Sequence, residues 1–154
     1  RFAARFGVLH TSSHIGDELI ERTGRERIGY TREELLLGGR WAPATRWSLY
    51  AEAAYAHERR NQDLQRPWRW QTGAEYLAGD LWLRGRAGWY VALDLAVWEE
   101  RDSRVDSTLQ AGVSVRSGVQ TWRLGIELHD GRPALGEFFQ DTERYAAVGV
   151  WLEL

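Results

Sequence analysis

The sequence predicts an all-β fold, a transmembrane antiparallel up-and-down β-barrel of about eight strands, on three observations. Apolar and polar residues alternate with a period of two along most of the chain, as in strands whose two faces meet different surroundings. The connections alternate between short and long, the plan of an outer-membrane barrel with short periplasmic turns and longer outer loops. Nine tryptophans complete the pattern, several on the apolar face near strand ends, where an aromatic girdle belongs.

Taken in order, Arg1 to His10 sets Phe2, Ala4, Phe6 and Val8 against Arg1, Arg5 and Gly7. A polar, irregular span to about Arg27 precedes a second strand near Tyr30 to Trp41, where Leu35, Leu37 and Trp41 oppose Arg32, Glu34 and Arg40. Ala42-Pro43-Ala44-Thr45 turns the chain, because proline cannot donate to a ladder. Arg46 to Glu58 alternates cleanly, and Arg59 to Pro67 is a charged loop. Trp68 to Leu77 sets Trp68, Trp70 and Tyr76 against Arg69, Gln71 and Glu75, with a turn at Ala78-Gly79-Asp80. The longest strand is expected from Leu81 to about Glu99. A charged tip at Arg101 to Arg104 leads to Val105–Val115, the tight turn Ser117-Gly118, and a strand in which Trp122, Leu124, Ile126 and Leu128 oppose Arg123, Glu127 and His129. Asp130 to Glu143 is a long loop, and Arg144 to Leu154 is the last strand.

Length and composition narrow the class. At 154 residues the chain, 1–154, is one domain. Net charge is −2 and no basic run carries interleaved aromatics, so nucleic acid is not an expected partner. All 20 basic residues are arginine, and the absence of cysteine removes disulfides and thiolate metal sites. Mean hydropathy is −0.50, and no apolar run approaches the roughly 18 residues of a spanning helix. Arg1 opens the sequence without a charged, apolar leader, as expected of a mature or trimmed chain.

A soluble barrel would also alternate, with its apolar face inward, and crowding decides between the two. The charged face carries small residues such as Gly7, Gly38, Gly73, Gly88, Gly112, Gly125 and Gly149, which a narrow interior requires. The apolar face carries Trp41, Trp47, Trp68, Trp70, Trp89 and Trp122, more indole than such an interior holds. Arg5, Arg32, Arg40, Arg69, Arg84, Arg86, Arg116 and Arg123 are therefore expected inside with Glu34, Glu52, Glu75, Asp94 and Glu127, as an ion-pair filling and not a conducting pore.

The densest chemistry lies in His10-Thr11-Ser12-Ser13-His14-Ile15-Gly16-Asp17-Glu18. Strand parity sends His10 and Ser12 to one side, the lipid face at the long-loop end. A histidine within reach of a serine hydroxyl is the minimal base-activated nucleophile, and Asp17, Glu18, Glu21 and Glu26 are candidates for the group that orients the ring. The bland alternative is an interfacial or binding loop with Gly16-Asp17 as turn chemistry. A metal held by His10, His14, Asp17 and Glu18 is a third option that the spacing does not establish.

The His-x-Ser pattern of His10 and Ser12 resembles lipid A deacylases and outer-membrane phospholipase A, and the resemblance implies Ser12 as nucleophile and His10 as base. Ser13 stands where the deacylases tend to have asparagine, and the orienting position falls at Gly24, flanked by Glu21 and Glu26. A broader resemblance is carried by the nine-residue box, by Asp94 to Asp102, and by Asp130-Gly-Arg-Pro with Gly136-Glu-Phe-Phe139. Those segments resemble an uncharacterised bacterial family of presumed outer-membrane proteins, a domain of unknown function. That resemblance implies further sequence before the box, so the chain stands either as an eight-stranded barrel or as the C-terminal part of a larger one. Leu154 departs from the usual terminal aromatic, with Trp151 nearby.

The expected function is a structural or lipid-interacting protein of the bacterial outer membrane, with membrane lipids or lipopolysaccharide as partners and no cofactor. His10, Ser12 and Glu26 form the candidate catalytic set, and Ser13, His14, Asp17, Glu18, His129, Asp130 and Arg132 the candidate binding set. The alternative is a lipid acyl-ester hydrolase using Ser12 and His10. Transport comes third, if preceding strands widen the barrel.

Overall fold

The computed structural model describes residues 1–24 and 29–153. One curled sheet holds eight antiparallel strands in chain order. They are β1 (Phe2–His14), β2 (Gly29–Ala44), β3 (Trp47–Arg59), β4 (Trp68–Trp82), β5 (Ala87–Trp98), β6 (Val105–Ser117), β7 (Gln120–Gly131) and β8 (Glu143–Glu153). Every neighbouring pair is a hairpin, and short turns at 45–46, 83–86 and 118–119 alternate with longer connections, as the sequence predicts.

Register preserves side-chain parity from strand to strand. On the convex face, Phe6 lies opposite Leu37, which lies opposite Ala53, which lies opposite Trp70. On the concave face, Arg5 lies opposite Gly38, then Glu52, then Gln71. The convex side chains are exposed and apolar, whereas Arg32, Glu34, Glu52, Arg69 and Arg123 are buried inside. The core of this molecule is therefore a charged one.

Small residues make that interior possible. Tyr50 reaches over β4 to hydrogen-bond Asp94 on β5, and it passes above Gly73, where a Cβ would overlap its ring. Asp94 also accepts from Gln71 at 2.8 Å. Arg123 on β7 donates to Glu75 on β4 at 2.6 Å, while Arg69 lies 3.1 Å from Glu52 and 3.4 Å from Glu34. Arg5 pairs with Glu52. These bonds cross the concave face and hold the curl.

Several expectations change. β1 runs on to His14, and Asp17–Thr23 forms a helix, α1, with acids in its first turn, Arg22 in its last and Gly24 left-handed at its C-cap. The chain reverses at 83–86, not at Ala78-Gly79-Asp80, because β4 bulges between Ala78 and Trp82 while Leu83, Arg84 and Gly85 adopt positive φ. Arg84, Arg86 and Arg116 consequently lie exposed at the turns, outside the ion-pair filling. Arg40 is also exposed, donating to Ser48 at 2.5 Å. Glu127 is held by Gln110 and Tyr145 and Asp94 by Tyr50 and Gln71, neutral partners in place of arginine.

β8 and β1 are not paired among the described residues, so the sheet is an open half-barrel. Inward-facing Arg5 on β1 and Tyr145 and Ala147 on β8 are exposed along this seam. The ion pairs that tighten the curl link β1 to β3, β2 to β4 and β4 to β7, and among the described residues none joins β8 to β1.

Filling the space under Tyr50 tests the crowding argument. Gly73→Val should lower unfolding free energy by about 1–3 kcal/mol in micelle denaturation, the usual cost of overpacking. Gly79→Ala, which meets nothing within 4 Å, should stay within about 0.5 kcal/mol of the parent.

Candidate functional site

The long-loop end of the half-barrel is filled by a cluster centred on Tyr30 and Glu100. Parity turns Tyr30, Arg32 and Glu34 of β2 inward, and all three are essentially sealed from solvent. Glu100 arrives from the 3-10 turn Glu99–Arg101 that follows β5, and its carboxylate is fully buried. Arg32 donates to it at 2.7 Å and Tyr30 Oη at 3.0 Å, with Arg132 Nη1 at 3.4 Å. Burial pushes the Glu100 carboxyl up from the ordinary carboxylate range, and the guanidinium groups of Arg32 and Arg132 pull it back.

Arg32 is bound on every side. Its Nε and Nη2 donate to Glu34 at 3.1 and 2.9 Å, and it also reaches the carbonyls of Arg66 and Pro67 at 2.9 and 3.1 Å. It thereby ties the β3–β4 loop to the interior. Trp98 supplies the apolar partner: the guanidinium carbons of Arg132, Arg69 and Arg32 lie 3.9, 5.2 and 5.4 Å from its ring centroid. Three cations over one indole are tolerable because Glu34, Glu52 and Glu100 stand between them.

The β7–β8 loop closes over this cluster. Arg132 lies over the Tyr30 ring at 4.9 Å, and Phe139 packs on it at 5.6 Å. Gly136 passes so close to Tyr30 and Ser13 that a Cβ there would overlap the ring. Ser13 Oγ on β1 accepts from Glu137 N at 3.0 Å. The loop thus spans from β7 to β1 and bridges the open seam at this end. Ser13 from the nine-residue box, Glu100 from the second motif, and Arg132 with Gly136 and Phe139 from the third all meet around Tyr30, with Trp98 joined through Arg132.

The predicted site residues therefore separate. Ser13, His129 and Arg132 face inward. His129 Nε2 donates to the Arg132 carbonyl at 3.1 Å, its Nδ1 accepts from Thr108 at 2.9 Å, and its ring stacks on Tyr145 at 5.1 Å. His10, Ser12 and His14 lie exposed on the convex face. Asp17 and Glu18 open α1, and Asp130 pairs with Arg144 at the exposed rim at 3.0 Å. Glu26 lies outside the described residues.

On the convex face His10 Nδ1 is engaged by Glu33 of β2, its register partner, and not by Asp17, Glu18 or Glu21. No hydrogen bond joins Ser12 to His10 among the described residues. Nor do three or more histidine and acidic side chains converge to hold a metal among those residues. Sequence reasoning missed Tyr30, Glu33 and Glu100 as partners. Parity marks Tyr30 as inward, but only the β1–β2 register reveals Glu33.

A family model described as "Protein of unknown function (DUF1207)" matches residues 1–153. No curated protein and no solved structure matches the chain.

Truncating the central acid strands two buried guanidinium groups. Glu100→Ala should cost about 3–5 kcal/mol of stability in urea unfolding, the range for breaking a buried ion pair. Ser13→Ala should cost about 1 kcal/mol, the worth of one hydrogen bond, while speeding proteolysis within 132–142 at least severalfold relative to the rest of the chain.

Proposed function

We propose that this chain, which belongs to the DUF1207 family, forms the wall of a bacterial outer-membrane β-barrel that does not conduct, with a structural or lipid-interacting role. One observation carries the reading: polarity is inverted relative to a water-soluble barrel. Phe6, Leu37, Ile126 and Val148 expose more than half of their surface on the convex face, while Arg32 and Glu34 are sealed inside. Exposed apolar area on that scale marks contact with lipid or another apolar surface.

The aromatic residues support a bilayer. At the short-turn end Trp47, Tyr76 and Trp89 form a cross-strand row with centroids 5.1 Å apart. Towards the long loops, Tyr55, Trp68 and Trp70 form another, at 5.0 and 5.8 Å. Trp47 and Tyr55 on β3 are separated by about 26 Å along the strand at ~3.3 Å per residue, or about 20 Å of membrane normal at a ~40° tilt. That spacing suits girdles at the two interfaces. Unpaired strand edges do not face hydrocarbon, so in a bilayer the β1 and β8 edges need partners, from each other or from further strands. The Tyr30–Glu100 cluster argues against an open channel through this half of the wall.

A second reading, lipid acyl-ester hydrolysis at the outer leaflet, is favoured by the His10–Glu33 contact. A carboxylate on Nδ1 leaves Nε2 free to take a proton from Ser12, two residues along the same face. The missing bond between Ser12 and His10 ranks it below the structural role.

Reconstitution into vesicles of brominated phosphatidylcholine tests the main reading. Tryptophan emission should fall to roughly half or less, as expected of girdle residues in contact with lipid; unchanged emission from folded protein in detergent-free buffer would contradict it. For the second reading, purified protein and its Ser12→Ala variant are incubated with phospholipid and lipopolysaccharide. The structural role predicts equal, background product from both, and fatty acid released by the parent alone would establish the hydrolase.

A further inference from the structure

The two ends of the half-barrel differ in charge. At the long-loop end arginines are interleaved with acids, whereas each of the three short turns carries arginine: Arg46 at 45–46, Arg84 and Arg86 at 83–86, and Arg116 beside 118–119. All four are exposed. Arg84, Arg86 and Arg116 have no side-chain partner among the described residues, and Arg46 has only the neutral Tyr76 hydroxyl, at 3.5 Å. Among the described side chains, the carboxylates of Glu75 and Glu153 are both engaged by Arg123, at 2.6 and 2.8 Å.

Hydrophobic side chains surround these cations. Trp82, Trp89 and Trp122 are exposed just inside the turns, and the turn tips present Leu83 at 65% and Val119 at 91% exposure. A water-facing turn gains nothing from such tips. Together, guanidinium groups and indole and aliphatic surface match the boundary where a phosphate headgroup overlies acyl chains. Arginine suits it further because its planar fork binds phosphate oxygens in pairs.

We infer that the short-turn rim, through Arg84, Arg86 and Arg116, is a binding surface for anionic phospholipid headgroups in the leaflet it faces. The inference rests on the membrane reading above and adds lipid selectivity to it. Bound phosphates would pair with arginines that have no side-chain partner among the described residues and fix the depth of the strands at this end. At the long-loop end acids stand among the exposed arginines, so no such selectivity is expected there.

The test measures tryptophan quenching of the full chain in phosphatidylcholine bilayers doped with either brominated phosphatidylglycerol or brominated phosphatidylcholine. The parent should show about 3- to 5-fold stronger association with the anionic lipid, and R84Q/R86Q/R116Q a ratio near one, since each basic residue near the surface adds attraction. Arg22→Gln, at the opposite end, should leave the ratio unchanged. Should the triple variant not fold, the parent decides the matter: its ratio must fall towards one as salt rises to about 0.5 M, because the attraction is screened. Equal quenching of the parent by both lipids, or a ratio indifferent to the arginines and to salt, overturns the inference and leaves the membrane reading intact. Absence of quenching by either lipid overturns the membrane reading and the inference with it. A ratio of one together with arginine-dependent retention on heparin would overturn it in favour of a soluble polyanion.

Discussion

Arg32 occupies a place that a cation does not tolerate alone. Its guanidinium is sealed from solvent and survives there because Glu34, Glu100 and two loop carbonyls satisfy it. Removing charges from water costs several kcal/mol each unless partners compensate. Every other feature of the interior follows from that requirement. The sheet must curl enough for carboxylates on other strands and loops to reach the arginines, and glycines must leave lanes for side chains that cross. The loops that carry Glu100 and Arg132 must also fold inward instead of standing in solvent.

Such an interior has little apolar content, so the apolar residues are left on the convex face. In water this arrangement would be unstable towards aggregation; against hydrocarbon it is favourable. The two ends then divide the work. The long-loop end is packed around Tyr30 and bridged to β1 through Ser13 and Glu137. At the short-turn end Arg84, Arg86 and Arg116 have no side-chain partner among the described residues and stand beside exposed indoles. His10 stands apart from both, on the outer wall, with Glu33 as its partner.

Strand parity made much of this legible in advance. Period-two alternation identifies the faces of β1 to β8, and the glycines on the charged face correctly signal crowding, as Gly73 beneath Tyr50 demonstrates. What was hidden depends on register and on loop folding. Glu33 meets His10 because β2 pairs with β1 at that offset, which no spacing along the chain encodes. Arg84 and Arg86 look inward if the chain turns at Gly79, yet a bulge in β4 carries the reversal on to 83–86, into which both fall. Glu100 sits inside a recognisable motif, but a 3-10 turn, not a strand, aims it at Arg32. The helix Asp17–Thr23 is too short for periodicity to reveal.

If the convex face meets lipid while the concave face holds sealed charge, the two faces of one strand must differ in what reaches them. The chain has no cysteine, so nitroxides can be placed one at a time along β7 at Leu124, Ile126, Glu127 and Leu128 in reconstituted bilayers. Labels at Leu124, Ile126 and Leu128 should relax strongly with oxygen and weakly with a water-soluble nickel complex, with Glu127 breaking the pattern. Nickel accessibility at the three apolar positions equal to that of a label on an exposed turn would contradict it.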